Sequence, residues 1–245
     1  MPRATELDRL SVVLVSTRNP LNIGAAARAM GNFGFSRLRV VNPYDPAFRQ
    51  ARSAVGASGL LADAQVYASV AEAVADCALV VGTTAGRDRG LQQALRPLPN
   101  GARLIRARLS SGRVALLFGS EKRGLSNRDL SHCHWVMRIP TGEEVPSMNL
   151  GQAVAVCLYE IGRAPAKPQG SPKSRSAAAG ELERLTLLLL ELLDASGYTG
   201  EQSESKTEQR VRRLIRRLAL SPSDCETWLG MLRQILWKLR ALQSL

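Results

Sequence analysis

The sequence predicts an α/β protein built on a parallel sheet and followed by a small all-α C-terminal extension. Three observations support this fold class. Short apolar runs recur along the first part of the chain, with helical patterns between them. The runs are continuous rather than alternating, as expected for strands buried on both faces of a parallel sheet. The composition then changes after residue 163, and three helical patterns follow.

Each predicted strand is short, apolar and separated from the next by a helical pattern. The strands are expected at 11–15, 38–41, 78–82, 114–119 and 135–139, with helices at 23–33, 70–76, 126–131 and 151–163. In the last helix one face is apolar and is made of Ala153, Val154, Cys157, Leu158 and Ile161. The alternation of strands and helices predicts crossover connections and a parallel sheet.

The chain is divided into a main domain at 1–165, a flexible linker at 166–180 and a helical domain at 181–245. The linker is rich in Pro, Ser, Gly and Ala and contains no core-forming residue. Helices are expected at 181–195, 207–219 and 223–241. In the second of these, an apolar stripe is predicted and arginines cover the rest, which fits either an RNA-contacting helix or a solvated helix face. The stripe comprises Val211, Leu214, Ile215 and Leu218, and the arginines are Arg210, Arg212, Arg213, Arg216 and Arg217.

The charge distribution favours a polyanionic partner. The 245 residues carry a formal net charge of +12, and residues 1–175 alone hold 23 basic and 12 acidic groups. Most of the basic residues are arginines, which match phosphate geometry, although a genome that favours arginine codons would give the same excess. Four scattered cysteines without a C-x-x-C pair signal neither a disulfide framework nor a zinc module. With no signal peptide and no apolar run of the roughly 20 residues that span a bilayer, a cytoplasmic protein is expected.

The loops that follow the predicted strands are candidates for a functional site, because ligands in open α/β sheets bind at the carboxyl ends of strands. These loops read "STRNPLNIGAAAR", "TTAGRDRG", "GSEKRGLSN" and "PTGEEVPSMNLG". None contains a dinucleotide fingerprint or a P-loop. Their Gly, Ser, Thr and Asn content suits a site made largely of backbone groups. His132 and His134 are expected on opposite faces of a strand, so no metal site is predicted.

Three ordered segments resemble the motifs of the SpoU-type RNA ribose 2′-O-methyltransferases of the SPOUT superfamily. They are "NIGAAARAM" at 22–30, "FGSEKRGLSN" at 118–127 and "IPTGEEVPSMNLGQAVAVCLYE" at 139–160. The resemblance implies a deep trefoil knot, S-adenosyl-L-methionine as cofactor, a homodimer and no metal. "NPYDP" at 42–46, "VVGTTA" at 80–85 and the helical extension are more similar to the members that methylate cytidine or uridine at the first position of the tRNA anticodon loop. A ribosomal RNA substrate and a non-catalytic RNA-binding relative remain alternatives.

The resemblance also implies roles for individual residues. The cofactor contacts would come from Thr83, Thr84, Ala85, Gly119, Ile139, Ser147, Met148 and Asn149. The catalytic positions would be Arg28, Asn22, Ser147 and Glu121. Arginine stays protonated in proteins, so Arg28 either transfers a proton through a substrate phosphate or acts as a fixed positive charge, and we favour the second.

Structural roles compete with these assignments. Arg28 would also fit as a surface arginine of an Ala-rich helix, and Ser147 or Asn149 as the N-cap of the 151–163 helix. Ser126 and Asp129 have the spacing of a capping box. Gly24, Gly31 and Gly34 are expected to allow close packing of a helix on a strand.

Overall fold

A computed structural model describes residues 4–53, 59–86, 93–163, 176–198 and 204–243. Seven strands form one sheet in which every pairing is parallel. The strands are β1 (Leu10–Val15), β2 (Arg37–Val41), β3 (Gln65–Tyr67), β4 (Leu79–Thr83), β5 (Leu95–Pro97), β6 (Val114–Phe118) and β7 (Trp135–Arg138). The five strands predicted from apolar runs are confirmed. The three-residue edge strands β3 and β5 were not predicted.

The helices of the main domain cover both faces of the sheet. They are α1 (Ala4–Leu7), α2 (Pro20–Asn32), α3 (Asp45–Ser53), α4 (Gly59–Ala62), α5 (Val70–Ala73), α6 (Leu98–Leu109), α7 (Asn127–Ser131) and α8 (Leu150–Gly162). One face packs against α2, α6 and α8, and the other against α5 and α7. The helices predicted for the main domain are confirmed. Four further helices, α1, α3, α4 and α6, were not predicted.

The strand order is β3-β2-β1-β6-β4-β7-β5. The chain moves outward from β1 to β3, crosses to β4 and β5, and then returns to insert β6 between β1 and β4 and β7 between β4 and β5. From β1 the chain adds strands in one direction across the sheet, and from β4 it adds them in the other, so a topological switch point lies between β1 and β4. Clefts are expected at the carboxyl ends of the strands around that point. The trefoil knot implied by the resemblance stays a prediction, because strand order alone does not test it.

The C-terminal extension is a three-helix unit docked on the main domain. It consists of α9 (Ala179–Ala195), α10 (Glu204–Arg217) and α11 (Pro222–Gln243), which share their own apolar core. Residues 166–175 of the predicted linker lie outside the described residues. Residues 176–180 of the predicted linker contact the main domain, where the backbone N–H groups of Ala179 and Gly180 donate to the carbonyls of Cys77 and Ala75. The helical unit therefore begins two residues earlier than predicted.

The predicted apolar stripe of α10 is wrong. Val211 and Ile215 are buried, but Leu214 and Leu218 are 44% and 47% exposed. Arg212 and Arg216 take the buried positions instead, at 2% and 4% exposure. The reason is that α10 packs against both α9 and α7, so the side of the helix expected to face solvent lies between two elements.

Arg212 joins three helices through ionic contacts. Its guanidinium binds Glu183 on α9 at 2.7 Å and Glu208 on α10 at 2.5 Å, and its Nη1 donates to the Ser131 hydroxyl on α7 at 3.2 Å. Arg216 lies 3.8 Å from Glu183, and burial lowers the pKa of its guanidinium to about 10. Both arginines remain charged at neutral pH, so Glu183 is the central counter-charge of this interface.

The predicted capping box is confirmed, whereas the predictions for the three glycines are confirmed only in part. Ser126 and Asp129 form the predicted capping box of α7. Gly34 has a positive φ of 75°, which favours glycine. The packing role expected for Gly24 and Gly31 is wrong, because a Cβ would meet nothing within 4 Å at Gly24 and only one side-chain atom at 3.8 Å at Gly31. Both lie on the face of α2 turned away from the sheet.

Candidate active site at the carboxyl edge of the sheet

A cleft of about 290 Å³ lies where β4, β6 and β7 end, and we name it the inner cleft. Its volume is near the lower end of small-molecule sites, which span roughly 300–1,000 Å³. Seven of the eight predicted cofactor contacts line it. These are Thr83, Thr84, Ala85, Gly119, Ile139, Ser147 and Met148. Three separate loops thus contribute to one concave surface.

The wall of the inner cleft after β6 requires glycine. A Cβ at Gly119 would lie 2.0 Å from the carbonyl carbon of Gly124, so no other residue fits there without moving backbone. Gly124 has a φ of 66°, and its N–H donates to the Ser120 carbonyl at 2.8 Å. The loop closes on itself as a tight turn. Its backbone, rather than its side chains, therefore shapes this side of the cleft.

The opposite wall is fixed by hydrogen bonds between neighbouring strands. The Thr83 hydroxyl donates to the Leu117 carbonyl at 2.8 Å, and the Thr84 N–H donates to the Met137 carbonyl at 3.0 Å. Met137 and Ile139 add apolar surface. The inner cleft thus combines backbone polar groups with apolar side chains, which suits a ligand that has both kinds of surface.

A chain of side-chain hydrogen bonds runs along the rim of the inner cleft. The amide of Asn149 donates to the Asn22 oxygen at 2.7 Å, and the amide of Asn22 donates to Glu121 at 3.1 Å. Asn149 is the N-cap of α8, which confirms the structural role that the sequence also allowed. It does not line the inner cleft, unlike the other predicted cofactor contacts. The three residues tie α8, α2 and the loop after β6 together.

Glu121 is held as a carboxylate. Partial burial alone would raise its pKa, but hydrogen bonds from its own backbone N–H, from Asn22 and from the N–H groups of Arg18 and Asn19 lower the pKa below its usual value. The bonds from Arg18 and Asn19 measure 3.3 and 3.2 Å. With its oxygens engaged in this way, Glu121 organises the loop after β1.

The other predicted catalytic residues lie apart from one another. Ser147 is exposed and lines the inner cleft. Arg28 is exposed on α2 and lines neither the inner cleft nor its neighbour. Six residues of α-helix separate Arg28 from Asn22, which corresponds to a rise of about 9 Å and a rotation of about 240°. Within one chain, Arg28 therefore does not join the other three.

The histidines and cysteines are structural. His132 is the C-cap of α7 and His134 precedes β7, so neither lies in a strand as expected. Burial lowers the pKa of both histidines to about 3, and His134 accepts a hydrogen bond from the Val80 N–H. All four cysteines are buried free thiols. In the described ranges, no three His, Cys, Asp or Glu side chains are grouped to hold a metal.

A second, larger cleft adjoins the first, and we name it the outer cleft. It has a volume of about 1,210 Å³ and lies between the loop after β1 and the loop after β6. Residues 120–124 line both clefts. Arg18, Asn19 and Asn22 line only the outer one. Arg18 was not predicted as a site residue, because a polar loop residue after a strand carries no distinguishing signal in the sequence.

These features define an open α/β protein with a cleft of small-molecule size at the carboxyl edge of its sheet. The chain belongs to the SpoU rRNA methylase family, whose sequence profile matches residues 9–159. The family expected from the three motifs is thereby confirmed. Within the described segments, no helix has both the length and the apolar character that crossing a membrane demands.

Individual relatives match over nearly the whole chain. The tRNA (cytidine/uridine/adenosine-2′-O-)-methyltransferase TrmJ of Pseudomonas aeruginosa is 36% identical over 242 residues, covering 93% of this chain and 94% of the relative. The tRNA (cytidine/uridine-2′-O-)-methyltransferase TrmJ of Sodalis glossinidius is 34% identical and covers 94% and 92%. The crystal structure of TrmJ from Z. mobilis ZM4 superposes with a TM-score of 0.80 at 33% identity, covering 92% of this chain and 98% of that one. The match includes the C-terminal helices.

Proposed function

We propose that this protein transfers a methyl group from S-adenosyl-L-methionine to a ribose 2′-hydroxyl of tRNA. The observation that carries the proposal is the inner cleft, whose walls come from the second and third family motifs and the loop after β4, and which is bordered by the Asn149–Asn22–Glu121 chain. The tRNA methyltransferases that match over the length of the chain support tRNA as the substrate. By the same resemblance, the target is cytidine or uridine at the first position of the anticodon loop, and the enzyme works in the cytoplasm.

The inner cleft fits the cofactor chemically. An adenosyl group needs apolar walls and backbone hydrogen-bonding groups, which Met137, Ile139 and the turn after β6 provide. The hydroxyls of Thr84 and Ser147 are available at its surface for the polar tail. When bound, S-adenosyl-L-methionine supplies an electrophilic methyl group on its sulfonium.

The residues at the rim prepare the ribose for attack. The 2′-hydroxyl must lose its proton, and Ser147 is the exposed hydroxyl of the inner cleft through which that proton passes to water. Glu121 is a weak candidate as base, because three neighbouring groups donate to it. Asn22 and Glu121 therefore position the loop after β1, and Arg28 acts as a fixed positive charge for the phosphate and the developing alkoxide.

Arg28 supports a homodimer in which each subunit completes the site of the other. It lies on the solvent-facing side of α2 together with Leu21, which is 80% exposed. On α8, which packs beside α2, Tyr159 is 55% exposed. We propose that a second copy docks on this surface, so that the Arg28 of each chain reaches the inner cleft of the other. The homodimer implied by the resemblance thus also accounts for the distance between Arg28 and Asn22.

The proposal is tested by transfer of a labelled methyl group to purified tRNA and, separately, to ribosomal RNA. We expect label in tRNA, recovered after nuclease digestion as 2′-O-methylated cytidine or uridine by mass analysis. Label only in ribosomal RNA would keep the chemistry and overturn the tRNA substrate. Binding of S-adenosyl-L-methionine without transfer to either RNA would overturn the catalytic proposal and favour a non-catalytic RNA-binding protein.

A further inference from the structure

None of the predicted cofactor contacts lines the outer cleft, yet it is continuous with the inner cleft. It extends from the shared wall at 120–124 to the loop after β1 and the first turn of α2. At about 1,210 Å³ it exceeds the roughly 1,000 Å³ that small-molecule sites reach. Its size and its open form suit a segment of a polymer better than a second small ligand.

The acidic side chains of the outer cleft are engaged within the protein. Glu121 accepts from Asn22 and from the backbone of Arg18 and Asn19. Asp129 accepts the Ser126 N–H and hydroxyl at 2.8 and 2.7 Å in the capping box of α7. Neither carboxylate is oriented to neutralise a cation in the cleft.

The basic side chains of the outer cleft are exposed. Arg18 and Lys122 line the cleft, and no ion pair joins either of them to a carboxylate among the described residues. The Arg18 guanidinium lies 6.0 Å from the centre of the Tyr44 ring, at the outer limit of a cation–π contact. An exposed guanidinium without an acidic partner is well suited to bind a phosphate.

We propose that the outer cleft binds an RNA phosphodiester next to the methylated ribose, with Arg18 as its main contact and Lys122 as a second. This proposal rests on the proposed function, because it names the part of the RNA that adjoins the transfer site. The shared wall sets the register: a ribose at the inner cleft places its neighbouring phosphate beyond residues 120–124, on the side of Arg18. Arg18 thereby selects a polynucleotide over a free nucleoside.

The test compares Arg18→Ala with Arg103→Ala in the full-length protein. Arg103 is an exposed arginine on α6 that lines neither cleft, so the two variants change the net charge equally. Binding of tRNA is measured across a series of salt concentrations. For Arg18→Ala we expect a dissociation constant raised about tenfold and a salt slope reduced by about 1, as for one lost phosphate contact. Arg103→Ala should change the affinity less than about twofold.

Two further measurements separate phosphate binding from a structural role. Arg18→Lys should restore most of the salt slope, since it keeps the charge, and Arg18→Ala should leave the affinity for S-adenosyl-L-methionine within about twofold, as Arg18 does not line the inner cleft. Equal salt slopes for Arg18→Ala and Arg103→Ala would overturn the proposal, as would a matching loss of cofactor affinity. Wild-type protein that binds tRNA through Arg18 but methylates no RNA would refute the proposed function and leave this inference standing.

Discussion

Arginine has opposite roles in two regions of this molecule. Arg18, at the carboxyl edge of the sheet, and Arg28, on α2, are exposed, and no carboxylate pairs with them among the residues described. At the interface between α7, α9 and α10, Arg212 and Arg216 are buried around Glu183. The sequence "RVRRLIRR" has the stronger basic pattern, yet its buried arginines join helices. Burial and pairing, rather than the local density of charge, separate the arginines available to RNA from those that stabilise the fold.

The largest effect is expected from removing the central carboxylate of the buried cluster. Glu183→Ala leaves Arg212 and Arg216 buried without their shared counter-charge, which typically costs about 3–5 kcal/mol of stability. The free energy of unfolding is measured by urea denaturation. Glu191→Ala is the matched control on the same helix, because its pair with Arg240 is exposed and is worth about 1 kcal/mol or less. Equal losses in the two variants would show that burial does not distinguish the two kinds of pair.

The second prediction concerns the exposed Arg28. Arg28→Ala should lower methyl transfer roughly 10²- to 10³-fold, as expected when one preorganised group at a developing charge is removed. The affinity for S-adenosyl-L-methionine should stay within a few-fold, because the proposed cofactor contacts come from the loops after β4, β6 and β7 and Arg28 is proposed to act on the RNA. Steady-state transfer and calorimetric titration measure the two quantities. Turnover at the wild-type rate would contradict the assigned role.

Mixed dimers decide whether Arg28 acts across subunits. Arg28→Ala subunits are combined with Gly119→Ala subunits, at a cofactor concentration low enough that neither variant alone transfers methyl groups at a measurable rate. Mixed dimers then contain one intact inner cleft facing an intact Arg28, and random pairing restores about a quarter of wild-type activity. No recovery, with mixed dimers demonstrated to form, would place Arg28 in the site of its own chain.

The third prediction tests a part of the site that depends on backbone instead of charge. Gly119→Ala should weaken binding of S-adenosyl-L-methionine at least tenfold, because the new Cβ would overlap the backbone of Gly124 and displace the wall of the inner cleft. Gly142→Ala is the control in the loop before α8, where a Cβ meets nothing within 4 Å. Calorimetric titration with the cofactor compares the two. Similar affinities would mean that this wall is not part of the cofactor site.

The smallest effect is expected from neutralising Glu121 while keeping its shape. Folding lowers the pKa of Glu121. The carboxylate therefore stabilises the folded state fully at a pH above its unfolded pKa of about 4.3, and this stabilisation is lost as the pH falls through its folded pKa. Glu121→Gln should therefore cost about 1 kcal/mol at neutral pH, the difference between bonds to a charged and to a neutral acceptor. The pH profile of methyl transfer between pH 6 and 9 should keep its shape. A changed profile in that range would make Glu121 the titrating base.

The sequence predicts the centre of the fold better than its edges. The central strands β1, β4 and β6 are buried and therefore appear as apolar runs. The edge strands β3 and β5 are largely exposed and only three residues long, so no apolar signal marks them. The arginines of α10 show a further limit, because a helix packed on two sides buries polar residues that periodicity assigns to solvent.

The candidate site, like the fold, can be predicted from the sequence only in part. The inner cleft can be predicted from the second and third motifs and from the loop after β4, since its residues are neighbours in the sequence of each loop. The link between Asn149 and Asn22 crosses 127 residues of sequence and depends on how α8 packs against α2. The position of Arg18 at the outer cleft is apparent only from the folded structure. No local pattern in the chain contains that information.

The position of β6 in the sheet has a consequence for biosynthesis. Leu10 of β1 pairs with Val114 of β6, so the middle of the sheet joins segments that leave the ribosome more than a hundred residues apart. At 5–20 residues per second, β1 waits about 5–20 s for this neighbour. During that time one edge of an apolar strand has no native partner, and such edges template aggregation. High contact order thus makes folding slow, and the nascent chain is most vulnerable before β6 is made.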